Sequence, residues 1–185
     1  MPNGFKIIAA TSPSGGIGFK GNLPWRNSTD MKYFKNITTQ RLDERKTNAV
    51  IMGRNTFKSL HYKPLPNRLN ICITSMDLFA AYHFFGVDKK DVLFFNSLDK
   101  ALEQLYKNSQ IENIYVIGGR ILYKYALKHP DCEELLINRI QCDVDCDTFF
   151  PEIDTTQYLL SDSNRIDEDV LNERYIHRRL HSKTL

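Results

Sequence analysis

The sequence lacks several features that would assign it to a well-marked class of protein. It has no run of about 18 apolar residues, so we expect no membrane span. Its first residues include no long apolar segment of the kind that predicts secretion. Its net charge of +3 is too small to indicate a nucleic-acid surface, although it is compatible with an anionic small-molecule ligand. We therefore expect a cytoplasmic protein that binds neither membrane nor nucleic acid.

Cysteine pairs and nucleotide-binding signatures are also missing. The four cysteines form no CxxC pair, which favours reduced thiols in a cytoplasmic protein. Gly-x-Gly-x-x-Gly is absent, and the loop 15–21 fails the P-loop pattern because Asn22 stands where lysine is needed. Any dinucleotide site in this chain is therefore not a regular Rossmann fingerprint.

Metal and nucleophile patterns are weak. Aspartates at 143, 145 and 147 resemble the start of a calcium loop, but Thr148 occupies the position that requires glycine. A solvated strand end is the better interpretation. The sequence shows no Ser/His/Asp or Cys/His arrangement either, so we predict no metal and no covalent nucleophile.

Apolar runs alternate with amphipathic stretches along the chain, which at 185 residues is long enough to bury a core without disulfides. Alternating strands and helices predict an α/β fold with a mainly parallel sheet. We predict one domain over residues 1–185, with a mixed sheet of about eight strands flanked by helices and an antiparallel C-terminal edge. The predicted strands are 5–10, 49–52, 69–74, 92–95, 114–117 and 135–140, with weaker ones at 158–161 and 173–180; helices are predicted at 29–39, after Gly53, after Ser97 and at 121–126.

Asp30 is the carboxylate that most needs an explanation. It shares a helix face with Tyr33, Phe34 and Ile37, and it follows the corner Leu23-Pro24-Trp25. An acid on an apolar face is costly to bury unless it binds something. The plainer alternative is a partner for the helix dipole, since a carboxylate in the first turn is favourable by itself. A shielded carboxylate at this position would suit a protonated heterocycle.

Three predicted strands end in residues suited to phosphates. They are followed by Gly53-Arg54-Asn55-Thr56, by Thr74-Ser75 and by Gly118-Gly119. Ligands of open α/β sheets bind at the carboxyl ends of strands, and glycine allows close approach of the backbone. Alternatively, the glycine pair is only a tight turn and Arg54 a solvated side chain. The role of Arg68 also has two interpretations: it is either a structural ion-pair partner or an anchor for a ligand carboxylate.

Several segments together closely resemble dihydrofolate reductases over nearly the whole chain. Each is weak alone, but they occur in the order found in that family. They are Ile8-Ala9-Ala10, Gly16-Ile17-Gly18, Leu23-Pro24-Trp25, Asp30 with Tyr33-Phe34, Val50-Ile51-Met52-Gly53-Arg54 with Thr56, Pro64-Leu65-Pro66-Asn67-Arg68, Ile117-Gly118-Gly119 with Tyr123, and Asp147-Thr148-Phe149-Phe150-Pro151-Glu152.

The resemblance implies reduction of 7,8-dihydrofolate to tetrahydrofolate with NADPH, in the service of one-carbon metabolism, and inhibition by antifolates. Asp30 would hold the pterin and promote protonation at N5, Arg68 would pair with the glutamate tail, and the glycine pair, joined by a cis peptide, would approach the pyrophosphate. Tyr123 would close over the pocket, and the loop 14–23 would act as a lid. A monomer is expected unless the chain belongs to a fusion with thymidylate synthase.

The site residues that the resemblance implies fall into three sets. The catalytic set is Leu23, Trp25, Asp30 and Asn138. The substrate set is Ile8, Ala10, Asp30, Met31, Phe34, Ser59, Leu60, Leu65, Arg68, Ile117, Tyr123 and Asn138. The cofactor set is Ala10, Ile17, Gly18, Gly21, Asn22, Gly53, Arg54, Asn55, Thr56, Thr74, Ser75, Gly118, Gly119, Arg120, Ile121, Leu122 and Tyr123.

The chain departs from the family pattern at three places. Asn138 replaces the usual threonine that bonds the catalytic carboxylate and the pterin amino group, and its amide offers both a donor and an acceptor for that bridge. Ser75 replaces a basic residue of many relatives, which leaves Arg54 with more of the selection of NADPH. His177 and Arg179 occupy positions of the last predicted strand where apolar residues are expected.

Two other interpretations stay open. One is a reductase of the same fold that acts on another pterin-like or pyrimidine substrate, such as the riboflavin-pathway reductase; the spacing of Trp25 and Asp30 disfavours it. The other is a catalytically inactive homologue that binds folate or RNA. Asn138 is the site residue that hints at inactivity, and the small net charge does not favour RNA.

Overall fold

The computed structural model describes residues 2–181, and alternating strands and helices account for most of that range. The elements are β1 (Phe5–Thr11), β2 (Gly16–Gly18), α1 (Ser28–Thr39), β3 (Thr47–Gly53), α2 (Arg54–Ser59), β4 (Leu69–Ile73), α3 (Leu78–Phe85), β5 (Val92–Phe95), α4 (Leu98–Tyr106), β6 (Ile111–Gly118), α5 (Arg120–Ala126), β7 (Cys132–Ile140), β8 (Thr148–Phe149), β9 (Tyr158–Asp167), β10 (Val170–His177) and α6 (Arg178–His181).

Eight of these strands form one sheet in the order β5-β4-β3-β6-β1-β7-β10-β9. The first six run parallel to one another, whereas β10 is antiparallel to both β7 and β9. The predicted α/β fold, with its mixed sheet and antiparallel C-terminal edge, is therefore confirmed. Strands β2 and β8 form a separate antiparallel pair beside the main sheet.

Helices cover both faces of the sheet, as parallel strands require, because such strands are buried on both sides. On one face, Leu98, Leu102 and Leu105 of α4 join a core that includes Leu122 and Ala126 of α5. On the other face, α1, α2 and α3 contribute a second core with Phe57 of α2 at its centre and partly buried rings from α1.

Local signals set the ends of the helices. Asn27, one of the two cap residues considered from the sequence, accepts a hydrogen bond from the backbone N–H of Asp30 at 2.9 Å. Ser97 caps α4 as predicted, through the N–H of Lys100. The Asn27 cap fixes the first turn of α1, and with it the position of Asp30.

Two parts of the sequence-based description are wrong. Helix α3 was not predicted, although Asp77 caps its start and Gly86 ends it in the left-handed region with φ of 64°. The last strand ends at His177, and residues 178–180, which were assigned to it, are helical. Arg179 is thus not a strand residue, while His177 packs its ring edge-on against Tyr158 at 5.1 Å. Across residues 2–181, no helix is long and apolar enough to cross a membrane.

Candidate active site

The carboxyl ends of five parallel strands meet at one edge of the sheet and open into a single large cleft. Its volume is 1680 Å³, which exceeds the roughly 300–1,000 Å³ that a single small-ligand pocket usually occupies. The cleft therefore has room for a dinucleotide and a second, smaller molecule. Residues from the ends of β1, β3, β4, β5 and β6, together with α1, line it.

Asp30 lies at one end of this cleft and is 7% exposed. Its Oδ1 accepts a hydrogen bond of 2.8 Å from Nδ2 of Asn138 on β7. Burial raises the pKa of the Asp30 carboxyl, because a charged group loses hydration there, and the bond from Asn138 lowers it. Asp30 is thus a shielded acid with one protein donor on one oxygen, placed to accept further hydrogen bonds from a ligand.

Asn138 is itself held from behind. Nδ2 of Asn172 donates to Oδ1 of Asn138 at 2.8 Å and to the hydroxyl of Tyr33 at 3.0 Å. The two asparagines face each other in the antiparallel register of β7 and β10. This chain of side chains, which we call the amide relay, consists of Tyr33, Asn172, Asn138 and Asp30. The amide of Asn138 makes the bond to the carboxylate that the threonine of the family pattern would make.

The glycine pair after β6 borders the middle of the cleft. The peptide bond between Gly118 and Gly119 is cis, and Gly118 has a φ of 122°, where L side chains are strained. A Cβ atom added at Gly119 would lie 3.2 Å from Oγ1 of Thr56, which leaves little space for a side chain. The absence of side chains here lets a ligand approach the backbone between β6 and α2.

Tyr123 of α5 belongs to the wall of the cleft. Its ring is 5% exposed, and its hydroxyl donates to the backbone carbonyl of Ile8 at 2.9 Å. Burial raises the pKa of this phenol well above its usual range, so it stays neutral. Tyr123 thus forms a fixed part of the wall between α5 and β1, and its closing over a bound ligand stays a prediction.

The opposite end of the cleft from Asp30 carries exposed cations. Arg54 begins α2 and Arg120 begins α5, and both line the cleft beside Thr74 and Ser75 from the end of β4. Exposed guanidinium groups next to hydroxyl donors suit a phosphorylated ligand. The two ends of the cleft therefore differ in chemistry: one is a buried carboxylate among apolar side chains and the other is cationic.

Arg68 lies on the Asp30 side of the cleft, beyond Phe34 and Leu65. Its Nη1 donates to Oγ1 of Thr38 at 2.8 Å and its Nε to the carbonyl of Pro66 at 3.0 Å. None of the ion pairs found in the described part of the chain involves Arg68. Of the two interpretations from the sequence, the geometry favours the ligand anchor, because neutral acceptors orient the guanidinium without neutralising it.

The loop 14–23 runs along the mouth of the cleft and is tied to β8. Asp147 accepts from the backbone N–H of Lys20 at 2.7 Å, and its own N–H donates to the carbonyl of Gly18 at 3.0 Å. Leu23, at the end of the loop, lines the cleft and is 51% exposed. The loop is held mainly through backbone bonds of β2 to β8 and of its neighbours, and its role as a lid stays a prediction.

Nearly all of the residues implied by the resemblance line the cleft; Trp25 and Asn138 do not. Asn138 is 2% exposed and donates to Asp30 from behind, which is the bond to the carboxylate that the resemblance implied; its bond to a pterin stays a prediction. Trp25 packs against Ile140 and Val170, and its Nε1 has no hydrogen-bond partner in the described structure. Asn138 therefore backs the carboxylate, whereas Trp25 belongs to a separate small apolar cluster.

Sequence reasoning also missed part of the wall. The junction of β5 and α4 contributes Asn96, Ser97, Leu98 and Asp99, and the loop after α5 contributes Lys128, His129 and Pro130. Ser97 was identified only as a helix cap, although a strand end followed by a cap is the same signal that marked the other three junctions. Within residues 2–181, no group of three or more His, Cys, Asp and Glu side chains is arranged to hold a metal ion.

Comparison with known proteins gives a consistent family. A family model described as dihydrofolate reductase matches residues 4–182. The dihydrofolate reductase of Aedes albopictus is 36% identical over 177 residues, covering 93% of this chain and 92% of the relative. That of Heliothis virescens is 39% identical over 166 residues, covering 86% and 85%. Bifunctional dihydrofolate reductase-thymidylate synthase 2 of Arabidopsis thaliana is 37% identical over 159 residues, which cover 83% of this chain and 27% of the plant protein.

Proposed function

Because the chain belongs to the dihydrofolate reductase family, we propose that it reduces 7,8-dihydrofolate to 5,6,7,8-tetrahydrofolate with NADPH, using the cleft described above. The observation that carries this proposal is the buried carboxylate of Asp30, which faces a cleft large enough for two ligands. A carboxylate with one oxygen bonded to Asn138 retains acceptor positions for the ring N–H and amino group of a pterin.

The remaining lining residues fit a dinucleotide. The side-chain-free backbone at Gly118 and Gly119 suits the pyrophosphate, and Arg54 and Arg120 suit the phosphates of the adenosine half. When bound, NADPH supplies the hydride that reduces the substrate. The protein's own contribution is then to align the two ligands and to exclude water around the reacting ring.

Asp30 has the role of fixing the substrate and favouring a proton on it. An ionised carboxylate stabilises a positive charge on the adjacent ring, so it raises the basicity of the pterin nitrogen that must be protonated. The balanced change is one hydride to C6 and one proton to N5. Leu23 and the loop before it limit access of water from the mouth of the cleft.

Selection of NADPH over NADH is assigned to Arg54. Ser75, at the end of β4, carries no charge. Of these two positions, only Arg54 offers an exposed cation for the 2′-phosphate of NADPH. All four cysteines carry free thiols, which supports our further proposal that the enzyme acts in the reducing cytoplasm.

The test is oxidation of NADPH in the presence of dihydrofolate, repeated with NADH and with the Arg54→Ala variant. We expect turnover with NADPH, a strong preference over NADH in the parent protein, and loss of most of that preference in the variant. Lys58→Ala, on the same helix, serves as a matched control for the removal of a positive charge. Absence of dihydrofolate-dependent oxidation would contradict the proposed function, and an unchanged preference in Arg54→Ala would contradict the role of Arg54 alone.

A further inference from the structure

We propose that Asn172 is a positioning residue for this reaction: it holds the amide of Asn138 with its Nδ2 toward Asp30. The inference rests on the proposed function, since it concerns how the carboxylate assigned to the pterin is kept in its working state. Asn172 lies behind the cleft and is not among the residues that line it. It therefore acts on the substrate only through Asn138 and Asp30.

The geometry of the amide relay gives Asn172 this role. Its Nδ2 approaches Oδ1 of Asn138 at 2.8 Å and the hydroxyl of Tyr33 at 3.0 Å. An amide nitrogen only donates, so the atom of Asn138 that faces it must be the oxygen. The other end of the Asn138 amide, which is Nδ2, then faces Oδ1 of Asp30 at 2.8 Å.

The reverse orientation of Asn138 is unfavourable at both ends. Turning that amide alone would place its oxygen against the Asp30 carboxylate and its nitrogen against Nδ2 of Asn172. Both contacts oppose like partial charges in a buried place, where an unmade hydrogen bond is costly. Asn172 thus prevents Asn138 from offering an acceptor to Asp30, and the bond that Asn138 donates favours the ionised form of the carboxylate against the effect of burial.

Few other groups can offset the effect of burial on the pKa of the Asp30 carboxyl. The titratable groups that face it are the phenols of Tyr33 on α1 and Tyr123 on α5. Burial raises the pKa of both phenols, so both are neutral over the working pH range. Glu134 of β7 and Arg174 of β10 act on Tyr33, and they form an ion pair with each other. The bond from Asn138 is the contact that opposes the effect of burial on the pKa of Asp30.

A residue that merely fills space would behave differently from one that sets the direction of a donor. Asn172→Leu removes the donor at similar size. Asn172→Asp keeps the shape but presents only acceptors, which would attract Nδ2 of Asn138 and turn its oxygen toward Asp30. A packing role predicts a rise in Asn172→Asp no larger than the like-charge repulsion measured in Asn164→Asp, whereas a positioning role predicts a rise beyond that control and a rise in the uncharged Asn172→Leu as well.

The experiment measures the pKa of Asp30 directly, by NMR of protein labelled with ¹³C at the aspartate side-chain carboxyls, with Asp30→Asn used for assignment. The pH dependence of hydride transfer from NADPH to dihydrofolate is followed in the same variants. Asn164 on β9 lies opposite Asn172 in the register of β9 and β10, and it is exposed. Asn164→Asp and Asn164→Leu are therefore matched controls for the added charge and for the loss of an amide.

We expect the pKa of Asp30 to rise by about one unit in Asn172→Leu, because the bond that Asn138 donates to the charged carboxylate is weakened when its amide is no longer held. We expect a larger rise in Asn172→Asp and little change in either Asn164 variant. The low-pH limb of kcat/KM, which reflects the ionisation of Asp30, should move upward in the same order. A pKa of Asp30 that is the same in the parent and in both Asn172 variants, or a rise in Asn172→Asp no larger than that in Asn164→Asp, would overturn the inference.

A milder variant keeps the test decisive if the Asn172 variants do not fold. Tyr33→Phe removes the second acceptor of Asn172 without removing any member of the sheet. The same reasoning predicts a smaller rise in the pKa of Asp30, and no rise would count against the relay. Activity of the parent protein with dihydrofolate tests the proposed function separately, so failure of one claim is distinguishable from failure of the other.

Discussion

Replacement of Arg68 by alanine should weaken binding of the substrate without changing the chemical step. The guanidinium is fixed by Thr38 and by the carbonyl of Pro66, through Nη1 and Nε. Nη2 carries two further N–H donors, and a guanidinium commonly binds a carboxylate through two parallel hydrogen bonds. The ring of Phe34 lies 5.8 Å from the guanidinium carbon, which adds a second restraint on its position.

The size of the effect follows from the hydrogen bonds that would be lost. A hydrogen bond to a charged group contributes about 1.5–3 kcal/mol, and each 1.4 kcal/mol or so is a factor of about ten in affinity. We therefore expect KM for dihydrofolate to rise about 10- to 100-fold in Arg68→Ala, with kcat changed less than about two-fold, since uniform binding is lost. Thr38→Val should raise KM by a smaller factor, because it keeps the charge and removes only one restraint.

The assay is steady-state oxidation of NADPH with two substrates, dihydrofolate and a dihydropterin that lacks the glutamate tail. For the truncated substrate the parent protein and Arg68→Ala should have similar KM values, because the carboxylate that Arg68 would bind is missing. An equal loss for both substrates would refute the reasoning, since it would mean that Arg68 supports the cleft in general. An unchanged KM for dihydrofolate would refute it as well.

Two further predictions concern the cofactor side and the lid. Gly119→Ala would bring a Cβ to 3.2 Å from Oγ1 of Thr56, so NADPH should bind roughly tenfold more weakly. Titration of Trp25 fluorescence with NADPH measures this affinity. An unchanged affinity would contradict a close approach of NADPH to the backbone at Gly119. The pKa of the exposed Asp147 carboxyl is lowered mainly by its bond to the N–H of Lys20. That contact is present above the ordinary pKa of an aspartate and is lost as pH falls through the lowered value. Amide exchange at Lys20 should therefore be faster in Asp147→Ala at neutral pH and equal to the parent in acid; no difference at neutral pH would exclude the contact in solution.

Local patterns in the sequence were enough to predict most of the elements. The helical spacing of Asp30, Tyr33 and Phe34 predicted a buried carboxylate, because a face is defined by residues three and four apart. The ends of buried strands predicted that Thr56 and the glycine pair would lie at the ligand-binding edge of the sheet, because parallel strands bring their carboxyl ends to one edge.

The amide relay could not be predicted, because it depends on contacts between distant parts of the chain. Asn138 and Asn172 meet only through the antiparallel register of β7 and β10, and a shift of one residue would turn one of them to the other face. The burial of Trp25 depends likewise on distant residues, Ile140 and Val170. The residue pattern of a single segment does not predict contacts between distant segments.

Other errors came from signals that compete locally. The strand-like run before Leu180 continues past His177 in composition, yet the backbone turns into a short helix there. Helix α3 has a mostly apolar sequence with a single histidine, His83, and two of its phenylalanines, Phe79 and Phe84, are exposed. Apolar runs of that length are ambiguous between strand and helix unless the capping residues at both ends are used.

The central claim is that Asp30 is the acid on which the reduction depends, and Asp30→Asn tests it most directly. The substitution keeps the size of the side chain and a hydrogen-bond acceptor, and it removes the charge that would favour a protonated pterin. Single-turnover hydride transfer from NADPH to dihydrofolate should fall by about 10²- to 10⁴-fold at neutral pH, the usual contribution of a positioned acid or base. The rate should recover partly at low pH, where the substrate takes its proton from solution. Equal rates for the parent and Asp30→Asn at neutral pH would contradict the account.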